Sequence, residues 1–175
     1  MRLRLLILCL GLSASAPTLR GQVVAEEGSL MPIPGPYETL SKAIALSEFK
    51  QVLEVSGPFT VFAPSDTAFL KLEGSGSAHL MDPENRGQLK SLVGYHIVAG
   101  ELTASRILRA LSRGSGTALF TTVQGEPLLA SLEGSDIVLT DCSGAQARIV
   151  HADRTVENLV LHEIDAVVSP ESRPR

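Results

Sequence analysis

The pattern of apolar and polar positions divides this chain into a helical first half and a strand-like second half. Up to residue 112 the apolar positions recur at helical spacing, interrupted by one β-rich run at 59–63. After Arg113-Gly114-Ser115-Gly116 they form short β-prone runs separated by glycine-containing turns. Helices followed by consecutive hairpins predict an α+β architecture in a single domain.

Five helical segments are predicted, and residues that favour helix starts mark several of their ends. The predicted N-caps are Ser47, either Ser65 or Asp66, and Thr103. Pro83 suits the first turn of the helix that ends near Tyr95. The predicted inward-facing positions, helix by helix, are Leu40, Ala43 and Ile44; Val52 and Leu53; Phe69, Leu70 and Leu72; Leu89, Leu92 and Val93; and Ile107, Leu108 and Leu111.

The second half of the chain predicts a series of short strands joined by tight turns. Each turn contains a glycine, which supports hairpin connections. The last run departs from strict alternation, because Val160, Ile164 and Val167 are unevenly spaced, and this spacing predicts a β-bulge within it. The predicted strands span 117–123, 128–132, 136–140, 147–150 and 159–168.

The N-terminus has the three parts of a secretory signal peptide. Arg2 and Arg4 precede an apolar stretch at 5–12, and small residues follow at 13–16. We therefore predict a signal peptide at 1–16, with the exact cleavage site left open. The mature protein is expected to be exported, to the periplasm or the extracellular space, and the arginine-only positive charge favours a bacterial exporter.

Two further segments fall outside the predicted domain. Residues 17–36 form an irregular lead-in, since three prolines within 32–36 are incompatible with a helix. Residues 171–175 are predicted to be a tail. No apolar run approaches the roughly 18 residues needed to span a bilayer, so no transmembrane segment is expected.

Charge and cysteine content exclude some classes of function. The formal net charge is −4, there is no tryptophan and no block of basic residues, so nucleic-acid binding is not expected. Cys9 would be removed with the signal peptide, which leaves Cys142 without an intramolecular partner. An intermolecular disulfide through Cys142 is left open.

Three segments, at 57–69, 95–100 and 158–170, resemble the fasciclin-like (FAS1) domain in composition and order. The resemblance covers 37–170 and implies a compact wedge: a β-sandwich-like sheet core with several helices packed on one side. Two positions differ from the family pattern. Leu159 follows Asn158 where the family usually has glycine, and Ala99 replaces a frequent proline. The structural residues that the resemblance identifies are Thr60, Phe62, Asp66, His96, His162 and Asp165.

The chain carries no convincing catalytic motif. Ser65, His96 and Asp165 are the residue types of a hydrolytic triad, but the Gly-x-Ser-x-Gly elbow is absent and Ser65 suits a helix cap. We therefore expect no enzymatic activity.

No metal or cofactor site is expected either. His151 and Asp153 would share a strand face, whereas His162 and Asp165 would point to opposite faces. Neither spacing is typical of a zinc site. No glycine-rich segment follows a phosphate-binding pattern.

The resemblance implies binding of a cell-surface or matrix protein, or of a polysaccharide. Its two recognition regions correspond here to Tyr95-His96 with its aliphatic neighbours and to the stretch that begins at Asp153. Arg154 and Thr155 stand where the family has apolar residues in the second region. The candidate partner-binding residues are therefore Tyr95, His96, Asp153 and Arg154.

Exposure and burial separate these candidates. Tyr95, Asp153 and Arg154 are expected in exposed loops. His96 is expected to be partly buried and hydrogen-bonded to Asp66 or Asp165, with a structural role before a binding role. An alternative function is a small-ligand carrier, or an enzyme of unrecognised type, that uses a cleft near His96.

Overall fold

The computed structural model describes residues 33–72 and 79–170. The predicted signal peptide at 1–16 and tail at 171–175 lie outside the described residues, as does most of the lead-in at 17–36.

Most of the predicted helical core positions are buried, Leu72 is partly buried, and three are exposed. Val52, Leu70 and Leu108 are exposed by 41%, 81% and 41%. Each directly neighbours a buried residue, and adjacent residues on a helix point about 100° apart, so at these three places only one of the two falls within the core-facing side of the helix. The helical elements are α1 (Glu38–Leu46), α2 (Phe49–Val55), α3 (Asp66–Leu70), a 3-10 turn (Pro83–Asn85), α4 (Arg86–Tyr95) and α5 (Ala104–Arg113).

Helix starts agree with the sequence at two of the predicted caps. The Ser65 hydroxyl accepts a hydrogen bond from the Ala68 N–H, and the Thr103 hydroxyl accepts one from the Arg106 N–H. Ser47 follows the last residue of α1, and its hydroxyl accepts from the N–H of Phe49, the first residue of α2, over 3.4 Å, although the N-cap position itself is Glu48. Pro83 lies in the 3-10 turn that precedes α4.

The strands form one seven-stranded sheet with the order β2-β1-β7-β6-β5-β4-β3. The last strand of the chain pairs in parallel with the first, and every other pairing is antiparallel. The strands are β1 (Phe59–Pro64), β2 (Ile97–Ala99), β3 (Thr117–Thr121), β4 (Pro127–Glu133), β5 (Asp136–Thr140), β6 (Gln146–Val156) and β7 (Leu159–Ile164).

The predicted irregularity lies in β6, not in the last strand. Shifts in the β6–β7 register occur between Ile149 and His151 and between His151 and Arg154. β6 is also longer than the predicted 147–150. The prediction missed its second half because those residues are exposed and polar and show no apolar alternation.

The two edges of the sheet meet, which gives the fold its sandwich-like form. Val98 of β2 bridges to Thr122 beyond β3, and the Val123 N–H donates to the Ile97 carbonyl over 2.8 Å. Successive side chains of a strand point to opposite faces, so neighbouring residues of β1 contribute to two different cores. Val61 joins the cluster that contains residues of α1, α2 and α4. Phe62 joins the cluster that contains residues of α5 and β5. The predicted α+β architecture is confirmed.

Candidate functional site

Thr60 joins β1 to the loop that leads into α5. Its side chain is fully buried, and its hydroxyl donates to the Gly100 carbonyl and accepts from the Leu102 N–H, each over 2.8 Å. A buried hydroxyl with both bonds satisfied fixes the position of the two backbone groups that it contacts. Thr60 is therefore a structural residue.

Asp66 caps a helix other than its own. Its carboxylate accepts from the N–H groups of Glu38 and Thr39, at 3.2 and 2.8 Å, in the first turn of α1. Burial raises the pKa of Asp66, but these backbone hydrogen bonds and the charge of Lys42 outweigh burial, so the pKa is lowered. Asp66 thus anchors α1 to the end of β1.

The β6–β7 turn is adapted to Leu159. The positive φ lies at Glu157 (53°), while Leu159 is a buried strand residue. The Asn158 amide donates to the carbonyls of Leu53 and Ser56, at 3.1 and 2.9 Å, near the end of α2. The departure from Asn-Gly is accommodated because no residue after Asn158 in this turn needs a left-handed conformation.

His162 is a buried connector between three segments. Its Nε2 donates to the Leu102 carbonyl over 2.6 Å, which leaves Nδ1 to accept from the Asp153 N–H over 3.3 Å. The ring stacks on Phe62, with centroids 5.7 Å apart. Burial lowers the pKa of His162, in agreement with a neutral ring.

Tyr95 and His96 are both buried, so neither side chain can contact a partner in this conformation. The expectation of an exposed Tyr95 is wrong: it is 0% exposed, and its hydroxyl donates to the Pro127 carbonyl over 2.9 Å. His96 is 1% exposed, and its Nδ1 donates to the Leu92 carbonyl over 2.8 Å. The apolar packing around the Tyr-His pair requires this burial.

The expected partners of His96 are also wrong. Asp66 caps α1, and the Asp165 carboxylate accepts from the Arg148 N–H over 2.8 Å beside a β6 irregularity. His96 Nε2 has no hydrogen-bond partner within the described part of the chain. Burial lowers the pKa of His96 to about 4, so the ring is neutral at pH 7.

Asp153 and Arg154 are exposed as predicted, but on strand β6, not in a loop. Asp153 has a φ of 60°, and its carboxylate accepts from the Ala104 N–H, the first residue of α5, over 2.7 Å. A carboxylate is favourable at a helix N-terminus. Asp153 therefore holds the irregular part of β6 against α5.

Arg154 borders an open cavity of about 320 Å³ that the sequence did not reveal. The cavity is lined by Tyr37, His151, Arg154 and Glu163. Tyr37 donates its hydroxyl proton to Glu163 Oε2 over 2.8 Å, and His151 Nδ1 lies 3.2 Å from the same oxygen. The Arg154 guanidinium carbon lies 5.9 Å from the centre of the Tyr37 ring. A cation, a carboxylate, an imidazole and a phenol thus meet at one opening.

Three elements assemble the cavity. The β6–β7 register places His151 opposite Glu163, and Tyr37 immediately precedes α1. Gly35 lies close behind: with a φ of 126°, a Cβ there would come within 2.9 Å of Arg154 Nη1. Tyr37 and Glu163 are 126 positions apart, so spacing along the chain could not pair them. The only local indication of this site in the sequence was the two-residue spacing of His151 and Asp153, which was considered above only as possible zinc ligation.

The electrostatics of the cavity favour a neutral Tyr37 that donates to the Glu163 side chain. Burial, followed by the hydrogen bond and charge of Glu163, raises the pKa of Tyr37 to about 12, against the opposing effect of Arg154. Within residues 33–72 and 79–170, no group of three or more His, Cys, Asp or Glu side chains is arranged to hold a metal ion.

Comparisons with known proteins place this fold in a family. The family model of the Fasciclin domain matches residues 35–170. Protein sll1483 of the cyanobacterium Synechocystis is 31% identical over 134 residues, which cover 77% of this chain and 67% of that protein. Protein sll1735 of the same organism is 33% identical over 135 residues, which cover 75% of this chain and 88% of that protein. Both relatives are bacterial, in agreement with the predicted source.

A solved structure gives the same result for the fold. The FAS1 domain pair from the insect cell adhesion molecule Fasciclin I matches with a TM-score of 0.57 and 21% identity, over 77% of this chain and 45% of that chain. No helix in the described part of the chain has the length and apolar character needed to cross a membrane. The chain belongs to the fasciclin (FAS1) domain family.

Proposed function

We propose that this protein is an exported cell-adhesion or macromolecule-binding module, which acts by presenting a binding surface and carries out no covalent chemistry. Its partner is a cell-surface or matrix protein, or a polysaccharide, met in the periplasm or the extracellular space. Membership of the fasciclin family supports this role, and one protein of like fold is described as an insect cell adhesion molecule. The predicted signal peptide supports export.

The observation that carries the proposal is that Arg154 is exposed and forms no ion pair with a carboxylate among residues 33–72 and 79–170. It lies on β6, which at this position pairs with β7 (Arg154 opposite Leu161). Arginine is enriched in protein interfaces and binds carboxylates and other anions through paired N–H groups. A cation held on a rigid element also loses less conformational freedom on binding than one in a loop.

The alternative of a cleft near His96 has little support. His96 is 1% exposed, and its backbone carbonyl accepts a hydrogen bond from the Phe62 N–H of β1, over 2.9 Å. A ligand would have to open the core to reach the ring. The surface of β6 needs no such opening, so it is the better candidate.

Adhesion of protein-coated beads tests the proposal. We expect beads that carry the purified protein to bind cells or matrix of the producing organism, and Arg154→Ala to reduce this binding by about tenfold. Arg148→Ala is the matched control, because Arg148 lies on the same strand but pairs with Glu133 and Asp136 away from the cavity. Thermal unfolding of each variant verifies that it is folded.

Two results would contradict the proposal. One is the absence of adhesion by the folded wild-type protein to any cell, matrix or polysaccharide surface. The other is equal adhesion by wild type, Arg154→Ala and Arg148→Ala, which would remove Arg154 from the binding surface.

A further inference from the structure

We propose that the cavity lined by Tyr37, His151, Arg154 and Glu163 binds one carboxylate-bearing sugar residue of an acidic polysaccharide. This inference rests on the proposed function, because it names the ligand class of the surface that contains Arg154. It assigns to the cavity a binding role and no reaction.

The size and form of the cavity suit a single sugar residue. Its volume of about 320 Å³ is at the lower end of the range for small-molecule sites, and it opens to solvent, so a polysaccharide could continue past it. Its walls come from the paired strands β6 and β7 and from the residue before α1. A site on such elements is held in shape before the ligand arrives.

Arg154 supplies the contact for the sugar carboxylate. A guanidinium can donate two parallel hydrogen bonds to a carboxylate, which is the strongest common form of this contact. The centre of the Tyr37 ring lies 5.9 Å from the guanidinium carbon, and the missing side chain of Gly35 leaves room for Nη1. The guanidinium is therefore supported by its neighbours without being neutralised by an ion pair within the described residues.

Glu163 and His151 supply contacts for sugar hydroxyls. Glu163 Oε2 faces the Tyr37 hydroxyl and His151 Nδ1, while Oε1 has no partner within the described part of the chain. His151 is 78% exposed, and its Nε2 likewise has no partner there. A carboxylate oxygen accepts from a hydroxyl donor, and a ring nitrogen can donate or accept. The cavity thus combines one site for an anion with two for hydroxyls.

This combination favours an acidic sugar over an acidic peptide or a dense polyanion. A peptide carboxylate would satisfy Arg154, but the peptide's donors are backbone N–H groups joined to that carboxylate by a flexible side chain, so they are not held in place for Glu163, whose side chain is 17% exposed and faces the same opening. A uronate carries its carboxylate and its hydroxyl donors on one ring. The net charge of −4 disfavours ligands with several charges per residue, whereas a uronate has one.

Calorimetric titration of the full-length protein tests the assignment. The probes are tetragalacturonate and a glucuronate-containing tetrasaccharide, each compared with its methyl ester, and tetraglutamate represents acidic peptides. We expect at least one acidic sugar to bind, and its methyl ester to bind about tenfold more weakly or worse, because the ester removes the negative charge that pairs with Arg154.

Two variants and a control locate the site. Arg154→Gln and Gly35→Ala should each weaken binding of the acidic sugar by about tenfold. The first removes the cation, and the second displaces both Arg154 Nη1 and the Tyr37 ring, each of which lies 2.9 Å from the position of the added Cβ. Arg148→Gln should leave binding unchanged, since Arg148 makes its ion pairs with Glu133 and Asp136. Gly35→Ala alters no charge, so a loss in that variant cannot come from a change in overall electrostatics.

The inference is overturned if neither acidic sugar binds, if the esters bind equally well, if Arg154→Gln has no effect, or if tetraglutamate binds more tightly than both sugars. Competition in the bead assay separates this result from the proposed function. If adhesion depends on Arg154 but excess acidic tetrasaccharide does not reduce it, the adhesion role stands and the sugar assignment fails. If adhesion is absent while the sugars bind at the cavity, the ligand class stands and the adhesion role fails.

Discussion

At the residue scale, several buried polar side chains of this fold form hydrogen bonds with backbone groups of distant segments. Only one of the two ring nitrogens of His96 has a partner among the described residues. The Thr60 hydroxyl both donates and accepts within the protein, and both ring nitrogens of His162 have partners there. His96 Nδ1 donates to the Leu92 carbonyl, whereas Nε2 is buried without a partner among the described residues. An unpaired buried nitrogen is costly to protonate, because the charge would have no compensating acceptor.

This arrangement predicts that acid destabilises the protein through His96. The pKa of His96 is about 4 in the folded state, below the 6.5 of an ordinary histidine. The unfolded state therefore binds a proton first as pH falls, and the contribution of His96 to stability, complete above pH 6.5, is lost between there and pH 4. The loss is on the order of 3 kcal/mol. Urea unfolding at several pH values measures it.

His96→Asn is the test variant, since its amide can still donate to the Leu92 carbonyl and does not titrate. We expect its free energy of unfolding to change less with pH between 6.5 and 4, with a slope reduced by about one proton. His162, whose pKa is also lowered, contributes with the same sign and stays in both proteins. An unchanged slope in His96→Asn would contradict the prediction.

At the element scale, α1 begins where it does because of a residue that lies elsewhere in the chain. Its N-cap residue, Tyr37, makes no side-chain capping bond, and Asp66 provides the acceptor instead. The Asp66 N–H in turn donates to the Pro36 carbonyl over 2.8 Å. This reciprocal contact also fixes Tyr37 beside the cavity, so the helix start and the candidate site depend on the same carboxylate.

We predict that Asp66→Ala lowers the free energy of unfolding by about 1 kcal/mol, since the first turn of α1 loses its acceptor. Asp66→Asn should cost less, because the amide retains one acceptor oxygen. Glu84→Ala, an exposed acid in the 3-10 turn, is the control and should change stability little. Urea unfolding followed by circular dichroism compares the three; equal stability of Asp66→Ala and wild type would refute the long-range cap.

At the scale of the whole molecule, the centre of the sheet joins the two ends of the domain. β7 lies between β1 and β6 and pairs in parallel with β1, although Phe59 and its partner Leu159 are far apart in sequence. Adjacent residues of β1 enter the two core clusters. The clusters therefore share a strand, and we expect them to unfold together.

The central and edge strands should differ sharply in sensitivity to truncation. Leu161→Ala, at a position 1% exposed in β7, should cost about 3 kcal/mol, whereas Leu119→Ala, 68% exposed on β3, should cost less than about 0.5 kcal/mol. Urea unfolding should show one transition, coincident by circular dichroism and by tyrosine fluorescence, because Tyr37 and Tyr95 belong to different clusters. Two separate transitions would show that the clusters unfold independently.

The accuracy of sequence-based reasoning differed between elements for physical reasons. Caps such as Ser65 and Thr103 were predictable, because they bond to backbone groups within three residues. The length of β6 was not, because its outer half, from His151 to Thr155, is exposed and has no apolar alternation. Tyr95 was misjudged, since an aromatic residue at a helix end gives no local sign of which side will be covered.

The sequence by itself determined the α+β class, the hairpin series, the family resemblance and the exposure of Asp153 and Arg154, because these depend on local periodicity, turn residues and charge. Only the tertiary structure decided that Asp66 caps α1 and that Tyr37, His151, Arg154 and Glu163 border one cavity. Those contacts depend on the β6–β7 register with its two irregularities and on the parallel β1–β7 pairing. Register is set by the packing of the whole core, so no local stretch of the chain encodes it.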